Sequence, residues 1–204
     1  MVIRSSMQID SKLKKFQIIS RKMNFCLWLT GLPGSGKSTI LKELEPMLSE
    51  SRTEFVVLHL DLIRKVLTPD PKYTEDERAL VYRSLALMAQ LLVKHGDKGV
   101  VIDATGNRSE YRNLARRLIP EFAEIYIRCP LKTCQAREAS RRNQTVQKNL
   151  YKNAIKGRLK GQLPGISVPY EAPKNPELLI DSDILSPRES AEKIRAYIKS
   201  RWAL

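Results

Sequence analysis

Gly31-Leu32-Pro33-Gly34-Ser35-Gly36-Lys37-Ser38 satisfies the pattern G-x-x-x-x-G-K-[ST], and its surroundings fit the motif. Its glycines let the backbone curl until several N–H groups point at one anion. Lys37 can then reach the outer phosphates of a triphosphate, and the Ser38 hydroxyl can ligate Mg²⁺. Upstream, Phe25-Cys26-Leu27-Trp28-Leu29 reads as a buried strand. Downstream, Ile40, Leu41, Leu44, Met47 and Leu48 fall on one face of a helix that begins at Lys37 and points its positive end at the loop. Strand, loop and helix in this order predict nucleoside triphosphate binding by residues 31–38, with Thr39 behind them.

Strands and helices alternate along the rest of the chain. Phe55 to Leu60 reads as a second strand ending at Asp61. A helix follows, with Val81, Leu85, Met88 and Leu92 as its apolar stripe and Gly96 as its stop. Gly99-Val100-Val101-Ile102 makes a third strand ending at Asp103, residues 109–118 a helix, and Glu124 to Ile127 a fourth strand. Leu178-Leu179-Ile180 is the fifth, after proline-rich coil over 164–176. Ser186-Pro187-Arg188-Glu189 opens the last helix with an N-cap serine, a proline at N1 and a glutamate at N3. The expected fold class is α/β: a three-layer P-loop fold with a mostly parallel five-stranded sheet covered by helices on both faces. Ligands in such sheets bind beyond the carboxyl ends of the strands, where Thr30, Asp61 and Asp103 would collect around one crevice.

At 204 residues the chain is long enough for one domain with a sizeable core. Residues 24–204 are read as that domain, residues 1–23 as a basic, dispensable extension, and 137–161 as a basic, poorly patterned lid segment. Cys26, Cys129 and Cys134 have no metal-ligand spacing and suit reduced thiols in a cytoplasmic protein. No apolar run reaches membrane-spanning length, so no membrane partner is expected. A net charge of +14 suits anionic substrates. Nucleic acid is the weaker reading, since the charge is scattered and few aromatics are present to stack bases.

Asp61 stands three residues before Arg64. A carboxylate there can accept an incoming hydroxyl's proton or organise a Mg²⁺ shell, and it can also cap the helix carrying Arg64. The arginine, one turn on, can hold an acceptor's anionic group. Asp103 reads equally as a Mg²⁺-shell acid or as a strand-end cap. Arg78, Arg83 and Arg112 could join Arg64 in an anion pocket. The cations of the 137–161 segment could close over a transferring phosphoryl group. His59 and His95 show no ligand or triad context and are read as incidental.

Beyond the P-loop, several stretches resemble the adenylylsulfate kinase (APS kinase) family: Asp61-Leu62-Ile63-Arg64, Tyr73 to Arg78, Cys129-Pro130-Leu131 with Cys134 to Arg137, Lys148 to Lys152, Gly165-Ile166 and Tyr170-Glu171-Ala172-Pro173. The last group is the most specific. The resemblance implies a kinase that uses Mg²⁺-ATP to phosphorylate the 3′-hydroxyl of adenosine 5′-phosphosulfate, in a homodimer. It implies Asp61, Lys37 and Lys148 as the catalytic residues and Arg137 near the donor adenine. Arg64, Arg78 and Arg83 would contact the sulfated nucleotide, Tyr73 would stack on its adenine with Leu163 at the second aromatic's place, and Ile166 would line that pocket. Ser38, Asp61 and Asp103 are the candidate metal residues.

The family's D-G-D-N reads His59-Leu60-Asp61-Leu62 here, and Val81 and Ser84 stand where members usually carry Asn and Arg. Leu163 replaces a stacking Phe, a change worth roughly 1–3 kcal/mol of adenine recognition. Asp103-Ala104-Thr105-Gly106-Asn107 also looks like kinases related to polynucleotide kinase. The alternative reading is therefore a P-loop kinase for another hydroxyl: a nucleotide, a polynucleotide or a phosphorylated metabolite.

Overall fold

The computed structural model describes residues 24–51, 54–96, 98–140 and 149–202. The 1–23 extension and Arg141, Arg142 and Lys148 of the lid segment lie outside them. The described strands are β1 (Cys26–Thr30), β2 (Phe55–His59), β3 (Gly99–Asp103), β4 (Phe122–Arg128) and β5 (Leu178–Asp181). The helices are α1 (Lys37–Glu50), α2 (Leu60–Leu67), α3 (Glu75–His95), α4 (Ser109–Leu118), α5 (Leu131–Ala139), α6 (Leu150–Ile155) and α7 (Pro187–Trp202).

The strands form one sheet in the order β2-β3-β1-β4-β5, with every pair parallel. A parallel sheet is covered on both faces, which is why β1 is apolar without alternation and wholly buried. Its odd and even residues serve different cores. Leu27 and Leu29 pack with Ile40, Leu44, Ile194 and Ile198 on the α1/α7 side. Cys26 and Trp28 pack with Val81, Leu85, Tyr111 and Ala115 on the α3/α4 side. A third, smaller cluster joins Cys129, Cys134, Tyr151 and Leu163.

The local signals hold where the chemistry is local. α1 begins at Lys37, and the stripe expected on it is buried. At α7, the Ser186 N–H donates to Glu189 Oε2 at 2.8 Å while the Glu189 N–H donates to Ser186 Oγ at 3.2 Å, completing the capping box. Two expectations shift. Leu60 opens α2 rather than closing β2, so the N-cap is His59 and Asp61 sits in the first turn; Asp61 is not the cap. On α3 the buried residues are Arg78, Val81, Tyr82, Leu85, Ala86, Ala89 and Val93, and Met88 instead lines an outer groove beside α2. The two stripes differ by a small rotation that 3.6-residue periodicity alone cannot resolve.

β1 is the point from which the chain runs first toward β2 and β3 and later toward β4 and β5. The loop after β1 therefore opens at the switch in winding direction, where α/β sheets bind ligands.

Candidate active site

Gly34 (φ 82°) and Gly36 (φ 101°) take the left-handed conformations that turn the Gly31–Ser38 loop. A Cβ on Gly34 would lie 2.5 Å from the Cys134 carbonyl oxygen, so α5 sits directly behind the loop. The loop is braced from two sides. Ser182, just after β5, donates from Oγ to the Ser35 carbonyl at 2.7 Å, and the Tyr151 hydroxyl of α6 donates to the Pro33 carbonyl at 2.7 Å. Lys37 is 8% exposed and its Nζ donates to the carbonyls of Gly31 (2.8 Å) and Leu32 (3.0 Å). Ser38 and Thr39 open the helix on its exposed side.

Ser38 Oγ donates to Asp103 Oδ2 at 2.7 Å. His59, opposite Asp103 in the β2–β3 register, places Nδ1 3.3 Å from the same oxygen. His59 is therefore part of the site, contrary to its reading as incidental. No sequence spacing connects it with Asp103, since the pairing comes from the sheet. Burial works to raise the Asp103 carboxyl, yet the bond to His59, the Lys37 charge and the Ser38 hydroxyl together hold it below its ordinary value. The bond to Asp103 raises His59 in turn. A hydroxyl and one carboxylate, with no cluster of three metal-binding side chains among the described residues, is the donor set expected for Mg²⁺ that keeps its waters and is shared with phosphates. Asp61 is exposed on the first turn of α2, on the same rim.

Arg78 is 6% exposed and has no carboxylate partner among the described residues. Its Nη1 donates to Asn107 Oδ1 and its Nη2 to the Gln162 carbonyl, both at a long 3.4 Å, and Nε has no partner. An unpaired buried charge costs several kcal/mol, a cost that a bound anion would offset. Arg64 is half-buried, 4.0 Å from Glu77. Arg83 is exposed; five residues from Arg78, it lies about 140° around α3. Arg112 leaves the expected anion pocket: it is buried and spends its donors on Glu124, the Gly106 carbonyl and the Glu171 carbonyl.

Residues 161–171 cross the mouth of the crevice as a strap. Gly161 packs on the Tyr73 ring, where a Cβ would meet Cγ at 2.8 Å, and Tyr73 itself takes φ 57°. Gly165 lies over Leu32 of the P-loop. Ile166 lines an open cavity of about 310 Å³ with Gly165, Ser167, Val168 and Pro169. Leu163 is 4% exposed, turned into the cluster beneath the loop. Asn107 Nδ2 donates to the Pro169 carbonyl at 3.3 Å, and the Tyr170 hydroxyl lies 3.0 Å from Thr30 Oγ1. Arg137 donates to the Ser182 carbonyl at 2.7 Å, close beside Gly36.

The adenylylsulphate kinase family model matches residues 23–181. The chain belongs to the adenylylsulphate kinase family. A probable adenylyl-sulfate kinase of Halalkalibacterium halodurans is 38% identical over 186 residues, covering 89% of this chain and 86% of that protein. An adenylyl-sulfate kinase of Thermodesulfovibrio yellowstonii is 38% identical over 185 residues, with the same coverage. Among solved structures, the APS kinase of Mycobacterium tuberculosis in complex with AMPPNP and APS superposes with a TM-score of 0.74 at 30% identity, covering 86% of this chain and 98% of that one. The family sets the reaction class: an ATP-using kinase that phosphorylates a hydroxyl.

In this member of the family the crevice gathers Gly31 to Ser38, Asp103, Arg78 and the strap. Asn107, Gln162, Ser182 and Tyr151 also border the crevice; Asn107 and Tyr151 fall within stretches singled out in the sequence, whereas Gln162 and Ser182 carry no signal of their own. They act through backbone atoms or through partners 29 to 147 residues away.

Proposed function

We propose that the protein transfers the γ-phosphoryl group of ATP to the 3′-hydroxyl of adenosine 5′-phosphosulfate, giving 3′-phosphoadenosine 5′-phosphosulfate. The observation that carries this reading is the pairing, across one crevice, of a triphosphate loop with a buried guanidinium that lacks a carboxylate. One anionic substrate meets Lys37, and a second meets Arg78 with Arg64. The reaction forms a bond from the 3′-oxygen to γ-phosphorus, breaks the bond to the β,γ-bridging oxygen, and leaves the hydroxyl proton on Asp61. Lys37 would exchange its two carbonyl partners for phosphate oxygens, and Lys148 would approach from the lid. Ser38 and Asp103, with Asp61 at the rim, would hold Mg²⁺, which neutralises phosphate charge. Tyr73 and Ile166 would border the acceptor's adenine, Arg83 would lie at its edge, and Arg137 beside Gly36 would flank the donor; Leu163, buried in the cluster with Cys134 and Tyr151, leaves the stacking place expected of it.

A coupled ADP-release assay tests the acceptor. The sulfated nucleotide should exceed AMP and a short oligonucleotide by roughly 100-fold in kcat/KM, because only the former carries a sulfate, whose oxygens would take a charged contact that neither competitor reproduces. Equal rates would move the reading to another hydroxyl acceptor. Leu163 favours that second reading, since it faces the cluster and presents no ring to a base.

The proposed assembly is a homodimer. Leu62, Val66, Leu80, Leu87 and Leu91 are 49–80% exposed along α2 and α3 around an apolar groove of about 240 Å³. Together they offer roughly 500 Å² of apolar surface, against the ~800 Å² per partner of a standard interface. The groove itself, lined by Leu62, Ile63, Val66, Leu67 and Met88, is apolar, which suits a second copy of this chain better than an acidic partner. Sedimentation should give a dimer that Val66→Glu converts to monomer; a monomeric wild type would exclude it. Three buried free thiols and ATP as donor suit the cytoplasm, and no described helix is long and apolar enough to cross a membrane.

A further inference from the structure

We infer that Glu171 is a positioning residue for the acceptor, a clamp that holds the 161–171 strap over the crevice by capping α4 from outside that helix. The inference rests on the reading of the crevice as the acceptor site.

α4 starts without a local cap: its N-cap residue is Arg108, whose side chain makes no capping bond. Glu171, 62 residues away, supplies one. Its Oε2 accepts from the Ser109 N–H at 2.7 Å and from the Ser109 hydroxyl at 2.6 Å. A carboxylate at a helix N-terminus satisfies an orphan donor and meets the positive end of the dipole. The same two bonds hold the Glu171 carboxyl below its ordinary value. The main chain of this residue is held as well. Its N–H donates to the Asn107 carbonyl at 2.8 Å, and its carbonyl accepts from Arg112 Nη2 at 2.7 Å.

These contacts end on the first turn of α4 and on the turn before it, which carries Asn107. Asn107 in turn accepts from Arg78 and donates to the Pro169 carbonyl. Releasing Glu171 would therefore loosen the strap at the side where Arg78 and Ile166 face the acceptor. It leaves the P-loop braces Ser182 and Tyr151 untouched. Tyr170-Glu171-Ala172-Pro173, the most family-specific stretch of the sequence, thereby gains a mechanical role. Tyr170 closes on Thr30 at the end of β1, and Glu171 closes on α4.

The test combines kinetics with hydrogen exchange. Glu171→Ala should raise the KM for the sulfated nucleotide about tenfold, the scale of losing a helix cap. Its KM for ATP should change less than twofold, and the melting temperature should fall by only about 2–4 °C, as expected for one lost cap. Glu171→Gln keeps an acceptor oxygen for Ser109 and should restore most of the affinity. Ser109→Ala, which keeps the backbone bond, should fall between, and its effect should shrink in the Glu171→Ala background. Deuterium uptake over residues 162–170 in the nucleotide-free protein should rise in Glu171→Ala and not in Glu171→Gln. Equal changes in both KM values, or unchanged uptake over 162–170, would overturn the inference. A wild type inert toward the sulfated nucleotide would overturn the acceptor reading instead, and the uptake comparison would still decide the clamp.

Discussion

Replacing Arg78 with methionine separates what the guanidinium does for the fold from what it does for an anion. Among the described residues Arg78 makes only two bonds, each at 3.4 Å, to Asn107 Oδ1 and the Gln162 carbonyl. At that length they contribute at most about 1 kcal/mol together. Against this stands the cost of keeping an unpaired charge 94% buried, several kcal/mol per ion even after relaxation. Methionine follows a similar path and fills most of the volume without the charge. Arg78→Met should therefore be as stable as wild type or more so when no acceptor is bound. Function should move the other way. A charge-assisted hydrogen bond contributes about 1.5–3 kcal/mol, so KM for the sulfated nucleotide should rise roughly 10- to 150-fold while KM for ATP stays put. Thermal melts with and without the acceptor, alongside initial rates, measure both quantities on one preparation. The wild type should gain more melting temperature from the acceptor than the variant does. A variant that loses more than about 2 kcal/mol of stability with its acceptor KM unchanged would refute the reasoning and make Arg78 a structural residue.

Asp61→Ala should lower kcat by about 10²–10⁴ with ATP affinity within twofold, as expected for a proton acceptor at the rim; near-normal turnover removes Asp61 from the chemistry. Gly34→Ala forces a side chain into φ 82° and against the Cys134 carbonyl at 2.5 Å, so it should cost more than the ~1–2 kcal/mol of the conformation alone and abolish retention on immobilised ATP. Ser182→Ala leaves the Ser35 carbonyl without its donor, and about 1–3 kcal/mol should appear as weaker ATP binding in calorimetry with kcat largely preserved. Burial works to raise the Glu177 carboxyl, but Arg116 and the Glu124 N–H hold it below its ordinary 4.5. Its contribution is then present above that value and lost as pH falls through the lower folded one. Glu177→Gln should flatten the fall in melting temperature between about pH 6 and pH 3. Parallel curves would contradict this.

What the sequence determines by itself is whatever neighbours along the chain decide. The glycine spacing of residues 31–36, the unbroken apolar run of β1, the α1 stripe and the Ser186–Glu189 capping box are each complete within about a dozen residues. Backbone sterics, helical periodicity and end-capping act over that range. The alternation of such segments then leaves a parallel sheet as the fold class. Tertiary structure decides which side chains share the crevice. Arg78 and Arg112 look alike in sequence, yet one makes only long bonds to Asn107 and the Gln162 carbonyl while the other is consumed by Glu124. His59 acquires a role only because β2 pairs with β3 in the register that sets it beside Asp103. Glu171 caps a helix that begins 62 residues earlier. Such partners are fixed by strand order and helix rotation, which depend on packing summed over the whole core, and no local spacing encodes them.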